Sequence, residues 1–353
     1  MRQEWYFISS SETMLSDAYK SLVSVRDVRR IVLPRTWTAG TKRHEIVHTI
    51  LGQLRYAWTL LVMCAKDRYT SLLICADHHY SALLVSRVLR LLGKNIRVYL
   101  IDFYLHELGG CAIVKMIVRA LLSSRVAILV QAPDDAAYFR NLNGRVNIAV
   151  APFALPENAI PCFPPDSICL GDYVFVGGRS NRDHRTVIKA AEMLPHIPFV
   201  VVASKRYSIK ERLPENVHLL EDIPSDKFHN LLAGSRCVVL SLKENIGSSG
   251  QMVALAAMHY GKLVLYSDMP AISQYFDDGK TGIAFRTGDF RNLVEKLSNC
   301  FPNSQLCEEV GQSAKRYVEA HQTRDHFLAK MVSHLAAWAA GSDSGTDFGH
   351  ADL

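Results

Sequence analysis

The chain has 353 residues, 49% of them apolar, with 40 Lys and Arg against 34 Asp and Glu and a formal charge of +6. That length and apolar content are enough for two cores. The charge excess suits anionic substrates or an anionic membrane surface. Without a recognition-helix, zinc-finger or aromatic RNA-binding signature, it is too small to make nucleic acid a partner.

The first half repeats a strand-then-helix rhythm. Trp5 to Ser9 and Arg30 to Pro34 read as short strands, and His44 to Lys66 as a long helix with apolar residues at mixed three- and four-residue spacing. Ser71 to Ala76 is a continuous apolar strand, of the kind found in a parallel sheet covered on both faces. Ser81 to Leu92 is a helix ended by Gly93, and Ile96 to Ile101 a strand. Cys111 to Leu122 is helical, Val126 to Gln131 a strand, Pro133 to Leu142 a short helix and Val146 to Val150 a closing strand. Alternation of this kind predicts a doubly wound α/β layer spanning 1–152. Pro152, Pro156, Pro161, Pro164 and Pro165 then crowd one window, which predicts a linker over 153–171.

The theme returns over 172–340. Strands are predicted at Tyr173 to Val176, Phe199 to Ala203, Val217 to Leu219, Cys237 to Leu240 and Lys262 to Tyr266. Arg182 to Leu194 is a helix, and Ser225 is expected to cap a helix from Asp226 to Leu232. Asp277 to Gly282 reads as a turn before a short β segment. Two or three helices follow from Asp289 to about Ala340, and 341–353 lacks periodicity and is expected to be disordered. Two similar α/β halves imply two Rossmann-like domains facing a cleft, where ligands bind.

The eight cysteines are scattered and never at C-x-x-C spacing, which predicts buried thiols in a reducing compartment. The N-terminal residues lack a signal-peptide apolar core, and the longest apolar run, Tyr56 to Cys64, is far too short to span a bilayer. A cytoplasmic protein is expected. Lys42, Arg43, Arg55, Lys66 and Arg68 flank a run holding Tyr56 and Trp58. This helix is read either as core or as an amphipathic surface helix in peripheral contact with a membrane.

The most informative stretch is Ser248-Ser249-Gly250-Gln251, which runs into an apolar helix-forming segment stopped by Gly261. Small residues there keep backbone N–H groups accessible at a helix N-terminus, and such an end attracts anions. The alternative is an ordinary strand–loop–helix with a Ser cap.

Several motifs occur in order. Val174-Phe175-Val176-Gly177-Gly178-Arg179-Ser180-Asn181-Arg182-Asp183-His184 is followed by Pro214-Glu215-Asn216-Val217 and the Ser-Gly-Gln loop. Ala257-Met258-x-x-Gly261-Lys262 and Asp277-x-Gly279-x-x-Gly282 complete the series. In this order they resemble the donor-binding domain of GT-B glycosyltransferases of the family 4, or group 1, type, over roughly 172–335. The first half resembles that family in rhythm and in one stretch, Ala76-Asp77-His78-His79.

The resemblance implies a glycosyltransferase that moves a sugar from a nucleotide-sugar donor to a glycan or lipid-linked acceptor, with retention, in polysaccharide or glycolipid assembly. It implies no cofactor and no metal. Gly178 would let the backbone approach the diphosphate, and Arg179 and Arg182 would meet the charge gathered there by the leaving group. Many relatives carry a Lys near the position of His184, so that role would fall to Arg182 or Arg185. For Arg182 the other reading is a solvated helix-start cation. Two glutamates common in the family align with Ser248 and Ala256, so both acids are absent. Ser248, Ser249, Gly250 and Gln251 would contact the donor instead, and Glu244 either replaces a missing acid or is a solvated loop carboxylate. His79 and His106 are candidates for polarising the acceptor hydroxyl, or are hydrogen-bonded structural histidines.

Two other readings stay open. His44-Glu45-x-x-His48 matches a zinc-hydrolase helix motif, although no third ligand follows at the usual spacing. The missing acids also fit a non-catalytic nucleotide-sugar-binding partner subunit.

Overall fold

A computed structural model describes residues 4–9, 16–23, 28–32, 42–66, 70–75, 79–102, 112–156, 159–161, 171–179, 181–205, 209, 212–244 and 248–340. The chain divides into two compact units, Met1–Ala151 with Leu328–Leu353, and Pro152–Phe327.

The first unit holds a six-stranded parallel sheet in the order β2-β1-β3-β4-β5-β6. Its strands are β1 (Glu4–Ser9), β2 (Val28–Val32), β3 (Thr70–Cys75), β4 (Arg97–Ile101), β5 (Val126–Val130) and β6 (Asn147–Val150). The helices are α1 (Ser16–Val23), α2 (Lys42–Lys66), α3 (His79–Leu91), α4 (Ala112–Leu121) and α5 (Pro133–Leu142). Alternate strand residues feed opposite faces. Ile8, Leu73, Val98, Leu100, Ile128 and Val130 pack with Leu60, Leu83, Leu89, Val118 and Phe139 from the helices. Phe7, Ile74, Tyr99, Ile101 and Ala127 point the other way and are also buried. Burial on both faces explains why these strands read as unbroken apolar runs.

The second unit repeats the plan in the order β12-β11-β10-β7-β8-β9, again all parallel. Its strands are β7 (Val174–Gly177), β8 (Phe199–Ala203), β9 (Val217–Glu221), β10 (Cys237–Leu240), β11 (Leu263–Ser267) and β12 (Ile283–Phe285). The helices are α6 (His184–Met193), α7 (Ser225–Gly234), α8 (Gln251–His259), α9 (Pro270–Ser273), α10 (Phe290–Cys300), α11 (Ser304–His321) and the first residues of α12 (Arg324–Ala339), which continues into the first unit. Val174, Val176, Val201, Val239 and Leu265 pack against one helical layer with Val187, Leu293 and Val310. Phe175, Val238, Leu240 and Val264 pack against the other with Leu232, Leu255 and Met258.

Three expectations need correction. Ser225 is the first residue of α7, not its cap; Pro224 holds the cap position and no side chain caps the helix. Pro224 reaches that position because its fixed φ, here −57° with ψ 152°, suits the extended residue before a helix. Within the proline-rich stretch expected as a linker, Phe153 and Leu155 are buried in the second unit's core, and the Phe153 N–H donates to Tyr275 Oη at 2.8 Å. The last helix was expected to stay with the second unit, but from Leu328 onward it lies with the first. Tyr99 explains this placement: its ring meets His334 and Trp338, and Arg97 donates to the carbonyls of Trp338 and Ala339. These donations satisfy carbonyls at the helix C-terminus with a cation, where the dipole favours one.

Cys64, Cys75, Cys237, Cys300 and Cys307 are buried free thiols, and burial pushes the Cys307 thiol up to about 11. The expected tail, 341–353, lies outside the described residues.

Candidate donor site

Within the second unit the strand order reverses between β7 and β10, since β8 and β9 extend one way and β10 to β12 the other. The carboxyl ends of strands at such a reversal are where open parallel sheets bind ligands. Gly178 follows β7 there with φ 134°, and the loop leading to Gly250 follows β10.

Arg182 decides the character of this spot. It does not begin a helix in solvent. It forms a bridge with Leu242 ahead of α6, is only 8% exposed, and folds back so that Nε donates to the Gly177 carbonyl at 2.8 Å. Its guanidinium lies over the Gly178 Cα, in the space a Cβ would fill. Burial pulls its pKa down to about 10, so it remains a cation at neutral pH.

Asn181 was missed in the sequence. It adopts φ 56°, a left-handed conformation that Asn tolerates better than most residues. Its Nδ2 donates to the Lys243 carbonyl at 3.2 Å and to Ser249 Oγ at 2.9 Å, and its carbonyl accepts from Lys243 N at 3.2 Å. One residue thereby ties the loop after β7 to the loop after β10. The only sequence signal was an Asn in a Gly-rich turn just before a helix.

Gly250 caps α8 at φ 88°, and a Cβ there would come within 3.2–3.3 Å of Leu240 and Ile272. No side chain caps this helix, so the serines do not serve as caps; Ser249 Oγ is turned to Asn181 instead. Ser248, Ser249, Gly250 and Gln251 are half-buried around that helix start. Ala256 sits in the core at 2% exposure, so the position aligned with one family acid offers no polar group.

Arg179 is exposed beside Gly178. Glu244 lies apart, in the wall of a cavity of about 440 Å³ with Arg185, Lys189, Lys243 and Phe290. That wall includes neither Gly178 nor Arg182 nor 248–251.

In the first unit the strand order reverses between β1 and β3. His79 opens the helix after β3, and its Nε2 lies 2.8 Å from the Ile101 carbonyl at the end of β4. A carbonyl only accepts, so Nε2 carries the proton and Nδ1 is the basic nitrogen. Asp102, also at φ 56°, follows Ile101 directly and was missed in the sequence. His106 lies outside the described residues, as do the side chains of His44, Glu45 and His48 in α2. Among the described residues, no three His, Cys, Asp or Glu are grouped to hold a metal ion. No described helix is long and apolar enough to cross a membrane.

Residues 173–317 match the family model for group 1 glycosyl transferases. The second unit carries a group 1 glycosyltransferase domain. Solved glycosyltransferase structures resemble the chain over nearly its whole length. A sucrose-phosphate synthase from Thermosynechococcus elongatus matches with TM-score 0.73 at 15% identity, over 97% of this chain and 100% of the other. Anabaena HepE, solved with UDP and glucose, gives 0.69 at 12% identity, over 95% and 100%. A Rickettsia africae glycosyltransferase gives 0.69 at 12%, over 96% and 99%. At such identities the likeness establishes the fold, which is GT-B. No curated protein sequence matches significantly.

Proposed function

We propose that the protein transfers a sugar from a nucleotide-sugar donor to a glycan or lipid-linked acceptor, with retention, in polysaccharide or glycolipid assembly. The observation that carries this reading is the Arg182 guanidinium held over Gly178 at the strand reversal, linked through Asn181 to the uncapped start of α8. A leaving nucleoside diphosphate gathers negative charge, and a fixed cation with converging amides stabilises that charge more in the transition state than before it. HepE, with its bound UDP and glucose, supports the same ligand class for this chain.

In this reading Gly178, Arg179, Arg182, Ser248, Ser249, Gly250 and Gln251 hold the donor. The cationic role belongs to the protein rather than to a metal, so turnover persists in EDTA. His79 orients the acceptor hydroxyl, with Nδ1 as its basic atom. Peripheral contact with an anionic membrane at the cytoplasmic face belongs to the same reading. It is supported by Leu54 and Trp58, 53% and 68% exposed one turn apart on α2, with Arg55 and Lys66 on the same helix.

Thermal-shift measurements with UDP, GDP, ADP and TDP sugars test the donor reading, since a ligand of the folded state raises apparent stability. One nucleotide class should raise Tm, and Arg182→Ala and Gln251→Ala should each abolish the shift. Silence from the whole panel, or full shifts in both variants, would overturn it.

A further inference from the structure

Helices α2, α3 and α4 form one layer against the first sheet, since Leu60, Leu83 and Val118, one from each, enter the same core. Direct contacts set them side by side. Ser81 Oγ donates to the Gln53 carbonyl at 2.8 Å, tying α3 to α2. Arg87 Nε donates to the Leu121 carbonyl at 3.3 Å, tying α3 to α4. A helix covering a sheet ordinarily keeps its apolar residues on the core side and turns polar ones to water.

α3 and α4 turn apolar residues outward as well. On α3, Ala82 and Leu89 are buried, yet Leu84, Val88 and Leu91 recur at i, i+4 and i+7 on the other side, with Leu91 88% exposed. On α4, Val118 is buried, whereas Met116 and Ile117 stand in solvent. Twelve large apolar residues are exposed among the described residues, and eight of them lie on α2, α3, α4 or at Leu92 just after α3. The second unit has two, Met193 and Met252, so the apolar surface is gathered on this layer.

Its charge is one-sided. Arg55, Lys66, Arg90, Lys115 and Arg119 are exposed on the three helices, and no Asp or Glu occurs in 52–66, 79–94 or 112–121. A second copy of the chain is a poor occupant, because two such faces would set like charges against each other. Aliphatic side chains and a tryptophan, interleaved with cations and free of acids, match an anionic bilayer: apolar groups enter the acyl boundary while cations meet lipid phosphates.

We infer that the outer face of α3 and α4 joins that of α2 in seating the protein on an anionic membrane, with Leu91 and Ile117 as inserted anchors. This rests on the membrane contact proposed above from α2 alone and extends it to two further helices. The test is co-sedimentation of the full chain with phosphatidylcholine vesicles and with mixed phosphatidylcholine–phosphatidylglycerol vesicles. The mixed vesicles should retain the protein at least about tenfold better, and added salt should release it. Leu91→Glu/Ile117→Glu and Arg90→Gln/Arg119→Gln should each weaken retention at least about tenfold. All four positions are exposed, so urea midpoints should hold in both variants.

Full retention of either double variant, or equal retention by neutral vesicles, overturns the inference. If Leu54→Ser/Trp58→Ser alone releases the protein, the α2 contact stands and the wider face does not. If the unmodified protein ignores both kinds of vesicle, the membrane contact itself falls. Light scattering tests the other occupant: a dimer that Leu91→Glu/Ile117→Glu splits into monomers would assign the face to a second copy and overturn the inference.

Discussion

The Arg182 guanidinium occupies the space in which a side chain at Gly178 would begin. Gly178 also holds φ 134°, a conformation that only glycine enters readily. The two residues are therefore coupled: the arginine can lie flat over the loop only because the glycine has no Cβ. Gly178→Ala should displace the guanidinium, lower stability by about 1–3 kcal/mol and cut nucleotide-sugar affinity at least about tenfold. A double-mutant cycle separates clash from backbone strain. Gly178→Ala combined with Arg182→Ala should destabilise less than the two changes summed, because the overlapping group is gone. Strict additivity in urea unfolding would show that the contact carries no energy.

Asn181 makes a second kind of coupling, between loops. Replacing it with Ala removes both donations from Nδ2 and leaves a less tolerant residue at φ 56°. The expected cost is about 1–2 kcal/mol, with faster amide exchange at Ser249 and Gly250. Asn181→Gly keeps the backbone conformation, so it should cost less stability while freeing the 248–250 loop to a similar extent. Equal exchange protection in all three proteins would show that the clamp does not order the 248–250 loop.

The elements around the site were legible because local chemistry sets them. β10, α8 and β11 follow from an apolar strand, an apolar helix run and glycines at both ends, and Gly250 and Gly261 do take left-handed φ values of 88° and 65°. The two sheets followed from alternating periods. What the sequence concealed depends on distant partners. Arg182 at a loop–helix junction reads equally as solvated or buried until Gly178 is seen beneath it. The apolar spacing of α12 says that one face is buried, but its partner Tyr99 is 235 residues from His334, and no local signal names that sheet. Arg185 and Lys189 share one helix, whereas Lys243 joins them only through the fold.

His334 gives the first unit a pH dependence. Asn147 Oδ1 accepts from Nε2 at 2.7 Å and Tyr99 Oη donates to Nδ1 at 2.7 Å, a set of bonds that fits the neutral ring. Burial pushes its pKa down to about 4, from an ordinary 6.5. The unfolded chain therefore binds the proton first as pH falls. The stabilisation is complete above about pH 6.5 and disappears on descent to about pH 4, amounting to about 3 kcal/mol at most. Trp338, packed against Tyr99, provides the fluorescence readout. Urea midpoints should fall between pH 6.5 and 4.5 in the unmodified protein, and His334→Phe should flatten that part of the profile. Parallel profiles would remove His334 as the cause.

Gly311 tests sterics against helix propensity. It lies inside α11, where Ala is normally favoured over Gly by about 1 kcal/mol. Here a Cβ would overlap the carbonyl of Gly261 and approach Leu263 N at 3.1 Å, and these are backbone atoms that cannot rotate aside. Gly311→Ala should therefore force α11 away from the turn that ends α8 and destabilise by about 1–3 kcal/mol, against its propensity. Glu308→Ala, exposed on the same helix, should stay within about 0.5 kcal/mol. Because α8 begins at the proposed donor loop, the Gly311 variant should also bind nucleotide sugar more weakly, whereas Glu308→Ala should not. A stabilised Gly311→Ala protein with intact binding would mean that α11 can shift without disturbing α8, and that the close approach at Gly261 is not needed to hold the site.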